Sequence, residues 1–119
     1  WLIPNLGTHA YFSMMSYATA LLGNSSSGLI EAASFSLPVI NIGIRQQGRV
    51  RSKNVIDVGY SKKDIFQGIS KATTSKFRKR IQGIINPYHT AGKASETIVN
   101  TLKKLSLDDR LILKRFIDT

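Results

Sequence analysis

Six residues, Gly23-Asn24-Ser25-Ser26-Ser27-Gly28, followed by Glu31, hold the densest chemistry in this sequence. Glycine lets a backbone approach a ligand closely, and three consecutive hydroxyls add hydrogen-bond donors. Where such a loop enters a helix, the first amides are unpaired at the positive end of the helix dipole, which suits a phosphate. A plain N-cap uses the same residue types, so the loop alone is weak evidence. The spacing is not a P-loop, because Leu29 and Ile30 stand where Lys and Ser/Thr would follow Gly28, nor is it the dinucleotide Gly-x-Gly-x-x-Gly. Glu31 sharpens the case. A capping-box Glu stands three residues after a capping Ser or Thr, and Gly28 has no hydroxyl to complete that box. Two readings stay open: a carboxylate that simply favours the helix dipole, or one that accepts two hydrogen bonds from the vicinal hydroxyls of a ribose, one turn from a diphosphate.

Arg45 and Arg49, in Gly43-Ile44-Arg45-Gln46-Gln47-Gly48-Arg49, supply fork-shaped, always charged groups for a phosphate or carboxylate. Each could also be an ordinary exposed loop arginine. The flanking glycines argue for a shaped loop.

The elements that must position these residues alternate. Trp1–Ile3 is a short strand candidate ended by Pro4-Asn5-Leu6-Gly7, and Thr8 is placed to cap a helix over His9–Thr19 with Tyr11, Met14, Met15 and Ala18 on one face. Ala20-Leu21-Leu22 reads as a buried strand ending at Gly23, Leu29–Phe35 as a short helix, and Pro38–Ile42 and Asn54–Val58 as further strands. Ser61 opens a helix with Asp64 in its first turn, and basic helical turns run to about Ile85. Asn86-Pro87-Tyr88 breaks the pattern, Ala94–Leu105 is amphipathic through Ile98, Val99, Leu102 and Leu105, and Leu107–Ile117 adds a last helix. Strand–helix alternation with short loops predicts an α/β chain, a Rossmann-like doubly wound parallel sheet. In such sheets ligands bind beyond the carboxyl ends of the strands, where Gly23–Gly28 and the Arg45 loop both lie. About four strands are visible and the first starts at Trp1, so the sheet is expected to be incomplete, with the chain beginning inside a domain.

Composition narrows the classes. The 119 residues make one domain at most, 42% of them hydrophobic, which fits a folded chain. No apolar run approaches the roughly 20 residues that span a bilayer. No basic-then-apolar leader is seen, which points to the cytoplasm. With no cysteine there is no disulfide and no thiolate chemistry. The net charge of +10 is uneven: all 17 Lys and Arg fall between Arg45 and Arg115. The densest run, Lys76-Phe77-Arg78-Lys79-Arg80, reads as a solvated helix face, because no aromatic platform or nucleic-acid motif accompanies it.

Together, Gly23–Ala32, Pro38–Gly43, Arg45-Gln46-x-Gly48-Arg49 and Asn54-Val55-Ile56 resemble the hydrolysing UDP-N-acetylglucosamine 2-epimerases. The likeness weakens after Val58 and resumes faintly at Asn86-Pro87-Tyr88 and Lys93-Ala94-Ser95, covering roughly half the chain. The non-hydrolysing epimerases tend to carry an Asp-Ser-Gly-Gly core instead. The resemblance implies a GT-B architecture of two Rossmann-like halves, with residues 1–119 as the C-terminal, UDP-binding one. It further implies that Ser25, Ser26 and Gly28 cradle the diphosphate, Glu31 holds the ribose, Arg45 contacts the nucleotide, and the loop at Leu6 lies near the uracil. The family reaction eliminates UDP across the first two sugar carbons and adds water to the glycal, releasing N-acetylmannosamine and UDP for sialic-acid-type synthesis, with no cofactor or metal.

Two positions depart from the family. Ile44 stands where members often carry Asp, and the Asn-Pro-Tyr-Gly-Asp-Gly stretch appears as Asn86-Pro87-Tyr88-His89-Thr90-Ala91-Gly92, one residue longer. His89 is a lone loop histidine and is read as solvated. Asp57, Asp64, Glu96, Asp108, Asp109 and Asp118 are scattered and form no acid–base pair. No catalytic residue is therefore assigned here. The family's catalytic carboxylates and histidine belong to its upstream part, so the isolated chain is expected to bind UDP weakly and turn nothing over. The expected partner is a UDP-sugar, with no nucleic acid and no membrane, and a homo-oligomer at full length is compatible. Two alternatives are another GT-B enzyme such as a glycosyltransferase, told apart by its product, and a basic nucleic-acid module, told apart by a steep salt slope.

Overall fold

The computed structural model describes residues 1–89 and 92–108, in two compact units divided after His89. The first unit carries strands β1 (Leu21–Gly23), β2 (Val39–Ile42) and β3 (Val55–Val58), all parallel, in the order β1-β2-β3. Leu21 pairs with Val39, and Val39 with Val55, so one register runs across the sheet. Helices α1 (Gly7–Tyr17), α2 (Ser27–Ile30), α3 (Lys62–Ala72) and α4 (Ser75–Ile81) complete this unit, with a 3-10 turn over Ala32–Phe35.

Alternation along the strands explains why both faces are covered. Val39 points to one side, where Met15, Ala32 and Leu37 pack, with Tyr11, Leu21 and Val55 at the margin. Ile40 points to the other side, with Ile56, Ala72, Phe77 and Ile81. Two glycines set the helix–sheet distance. A Cβ on Gly28 of α2 would lie 2.8 Å from Val39 Cγ1, and one on Gly68 of α3 would lie 2.8 Å from Val58 Cγ1 and 2.9 Å from Ile40 Cγ2. This is an open three-stranded parallel α/β sheet of Rossmann-like character.

The strands over 20–22, 38–42 and 54–58 and the Ser61-capped helix match expectation within a residue. Ser61 Oγ accepts from the Asp64 amide at 3.0 Å, and Thr74 Oγ1 likewise caps α4 by accepting from the Phe77 amide at 3.2 Å. Other expectations are corrected. Trp1–Ile3 forms no strand and is exposed; among the described residues no strand edge pairs with it. The start of α1 is fixed by Asn5, whose Oδ1 accepts from the Gly7 amide at 2.8 Å, rather than by Thr8. Met15 and Tyr11, four residues apart, turn inward while Met14 stays exposed. The basic turns stop at Ile81, before Gly83 takes a positive φ of 65°.

The helix expected over Leu29–Phe35 is split. Asn86 Nδ2 donates to the Ile30 carbonyl at 2.7 Å, and the Ser34 amide, which a continuous α-helix would bring to that carbonyl, donates instead to Glu31 O at 2.9 Å.

The second unit contains α5 (Ala94–Lys104), with Glu96 in its first turn and Lys103 and Lys104 in its last, an arrangement favoured by the helix dipole. The helix expected over Leu107–Ile117 lies, from residue 109 on, outside the described residues. Among those described, no helix is long and apolar enough to cross a membrane.

Candidate functional site

An open cleft of about 690 Å³ lies between the Ile3–Thr8 segment, α1 and α2, and is lined in part by Leu6, Tyr11, Phe12, Ser27 and Glu31. Tyr11 and Ser27 hydroxyls are 2.7 Å apart across it, which ties α1 to the start of α2. Glu31 Oε2 is buried and has no hydrogen-bond partner among the described residues. A desolvated carboxylate oxygen without a donor is costly to the protein alone and is a strong acceptor for a ligand hydroxyl. Leu6 and Glu31, separately picked from sequence, thus share one cleft.

The Ser-rich loop leaves β1 at Gly23; of its residues Ser27 lines that cleft, whereas Ser25, Ser26 and Gly28, like Arg45, are not part of the lining. Turn bonds already occupy the amides of Gly28 (to Ser25 O, 3.2 Å), Leu29 and Ile30 (both to Ser26 O, 2.9 Å). Among the described residues the amides of Ser25 and Ser26 have no such partner, so the available donors sit ahead of the helix start. Ser25 Oγ accepts from the Ser27 amide at 3.3 Å. Gly28 is buried against Val39 and Leu21, and its visible work is close packing of α2 on the sheet.

Arg45 is exposed, and its Nη1 donates to Asn24 Oδ1 at 3.4 Å, placing the guanidinium over the Ser-rich loop. Gln46, 3% exposed, donates from Nε2 to the Asn24 carbonyl at 2.7 Å. Arg51 donates to the carbonyls of Gln46 (3.0 Å) and Arg49 (2.8 Å), and its Nε lies 2.9 Å from Asp57 Oδ2. Asp57 Oδ1 accepts from Asn41 Nδ2 at 2.7 Å. Asp57, though half-exposed, thus braces both Arg51 and Asn41. Ile44 is exposed, its amide donating to Tyr60 Oη at 3.3 Å, and His89 is exposed. Asp109 and Asp118 lie outside the described residues.

Residues 1–103 match the family described as UDP-N-acetylglucosamine 2-epimerase. The chain belongs to that epimerase family. It is 39% identical over 117 residues to the GDP/UDP-N,N'-diacetylbacillosamine 2-epimerase (hydrolyzing) of Campylobacter jejuni, covering 98% of this chain and 30% of that protein. It is 36% identical over 113 residues to the UDP-N,N'-diacetylbacillosamine 2-epimerase (hydrolyzing) of Legionella pneumophila, covering 95% and 29%. A polysialic acid biosynthesis protein of Escherichia coli is 49% identical over 78 residues, covering 66% and 20%. The chain thus spans less than a third of the length of these epimerase-family relatives.

Four residues that brace the site in this epimerase-family chain were not legible as such: Tyr11, Arg51, Asp57 and Asn86. In the sequence Tyr11 reads only as part of a helix face, and Asn86 as a pattern breaker and part of a faint stretch of the family resemblance, with no contact assigned to it. Asn86 is 9% exposed; its Nδ2 donates to Ile30 O and Ser34 Oγ, both at 2.7 Å, and its Oδ1 accepts from the Tyr88 amide at 2.9 Å. It pins the turn that carries Glu31. Asn86→Ala is expected to cost about 2–3 kcal/mol, since three part-buried hydrogen bonds go. Urea unfolding checks this, and a loss under about 0.5 kcal/mol would reduce Asn86 to an ordinary surface position.

Proposed function

We propose that the chain is the UDP-binding half of a cytoplasmic hydrolysing 2-epimerase, the C-terminal half of a two-domain GT-B enzyme. The observation that carries this reading is Glu31, which lines the same cleft as Leu6 and whose Oε2 is buried without a partner among the described residues. A vicinal diol offers two donors to one carboxylate, and few other ligand groups do. In this reading Glu31 holds the ribose, the Ser25 and Ser26 amides and hydroxyls hold the diphosphate, Arg45 offsets its charge, and the base lies along Leu6.

The reaction removes the proton at the second sugar carbon while the bond from the first carbon to the diphosphate oxygen breaks. UDP leaves, and water adds hydroxyl to the first carbon and hydrogen to the opposite face of the second, inverting it. This half supplies the leaving group's binding energy, and donors aimed at the diphosphate grow more valuable as negative charge collects there. The proton-transfer groups belong to the rest of the polypeptide. N-acetylglucosamine is the default sugar, and the diacetamido sugar in the names of two relatives is its competitor.

The test is product analysis with the full-length enzyme given both UDP-sugars. Free UDP together with a free sugar inverted at its second carbon is expected from one of them, and transfer of the sugar to an acceptor would instead mark a glycosyltransferase. The isolated 119-residue chain is expected to gain thermal stability saturably with UDP and to form no free sugar.

A further inference from the structure

We propose that Gln46, backed by Arg51 and Asp57, is a positioning residue that aims the Ser25 amide and Arg45 at the diphosphate; this rests on the UDP-site reading above. Parallel strands need a crossover, usually a helix, yet β2 and β3 are joined by the Gly43–Asn54 loop without one. The shape of such a loop must come from its side chains. Between Ile44 and Val50, Gln46 alone is buried. Its Nε2 holds the Asn24 carbonyl at 2.7 Å. That carbonyl and the Ser25 N–H belong to one planar trans peptide and point in opposite directions. Fixing the oxygen against Gln46 therefore turns the Ser25 N–H away from it, and that N–H has no protein partner among the described residues. Arg45, the residue before, grips Asn24 again through its side-chain oxygen.

The brace continues inward. Arg51 takes the Gln46 and Arg49 carbonyls, Asp57 on β3 takes Arg51, and Asn41, 1% exposed on β2, takes Asp57. The sheet, rather than the loop's own backbone, sets where Arg45 and the Ser25 amide stand. Neither Gln46, Arg51 nor Asp57 lines the Leu6–Glu31 cleft, so the effect reaches the ligand through other groups.

The test uses Gln46→Met, which keeps the side chain's length and removes its donor, in the full-length protein. UDP affinity is expected to fall about 5- to 10-fold while uridine, which lacks the diphosphate, binds as before. Asp57→Asn, at a half-exposed side chain where folding is not at stake, is expected to move UDP affinity about 2- to 3-fold the same way. Equal loss for UDP and uridine, or unchanged UDP affinity in both variants, overturns the positioning role. If the unaltered protein binds no UDP, the site assignment itself falls, and this proposal with it.

Discussion

Glu31→Gln is expected to weaken UDP binding by roughly 30- to 100-fold while leaving the fold as stable as before or more so. Hydrogen bonds to a charged acceptor contribute about 1.5–3 kcal/mol each, and glutamine keeps one acceptor oxygen but loses the charge, so a net loss of about 2–3 kcal/mol follows. The stability side has the opposite sign. Glu31 Oε2 is buried without a partner among the described residues, so the unliganded protein carries a desolvation penalty that an uncharged amide reduces. Opposite signs on affinity and stability separate a binding role from a structural one. The finer check is a cycle with 2'-deoxy-UDP. Removing the 2'-hydroxyl should cost the unaltered protein much of this factor and cost the variant little. Equal affinity of the unaltered protein for UDP and 2'-deoxy-UDP would remove the ribose from Glu31.

What the sequence disclosed and what it hid follow the range of the interactions. Val39-Ile40-Asn41-Ile42 and Val55-Ile56-Asp57-Val58 are rich in β-branched residues and each is followed by a glycine, and local propensity was enough to find their strands. The Ser61 cap acts over three residues and was equally visible. The split was hidden because the side chain that takes the Ile30 carbonyl, Asn86, stands 56 residues further along. The Asn5 contact at the start of α1 was hidden for a different reason: its Oδ1 takes the Gly7 amide from just ahead of the N-cap position, which Leu6 fills, while Thr8 offered the usual capping side chain. Ser25, Glu31 and Arg45 stand out in the sequence because their charges and hydroxyls advertise ligand chemistry, and their roles are part of the proposal above. Gln46 and Asp57 act on other protein groups, and an uncharged amide or a scattered acid announces no partner. Arg51 was one cation among several in a basic loop, and its geometry, three protein contacts and a half-buried side chain, is what distinguishes it.

The basic run at α4 is the place where residue type and role diverge most, and Phe77→Ala is expected to cost about 3–5 kcal/mol. Read as charge, Lys76-Phe77-Arg78-Lys79-Arg80 is a solvated face. In the fold its centre is apolar: Phe77 is 4% exposed and packs with Ile40, Ile56, Ala72 and Ile81 beneath the sheet. The cations serve that anchor. The Arg80 guanidinium stands 4.7 Å from the centre of the Phe77 ring, and Arg78 Nη2 donates to Thr19 O at 3.1 Å. A chain of this size has roughly 5–15 kcal/mol of stability in all, so the truncation removes a large share of it. Lys76→Gln and Lys79→Gln together should stay within about 0.5 kcal/mol, as substitutions of exposed charges do. Urea midpoints compare the two directly, and a Phe77→Ala cost below about 1 kcal/mol would mean that α4 is not part of the core. The site feels this only through folding. Ile40 rests on Phe77, and the next residue, Asn41, anchors Asp57 and so the Arg45 loop. On the proposed reading UDP binds the folded form and not the unfolded one, so it should restore part of the lost stability by mass action, growing with the logarithm of its concentration over its Kd. If instead the double lysine variant lost UDP affinity while Phe77→Ala kept it, the run would belong to the ligand and not to the fold.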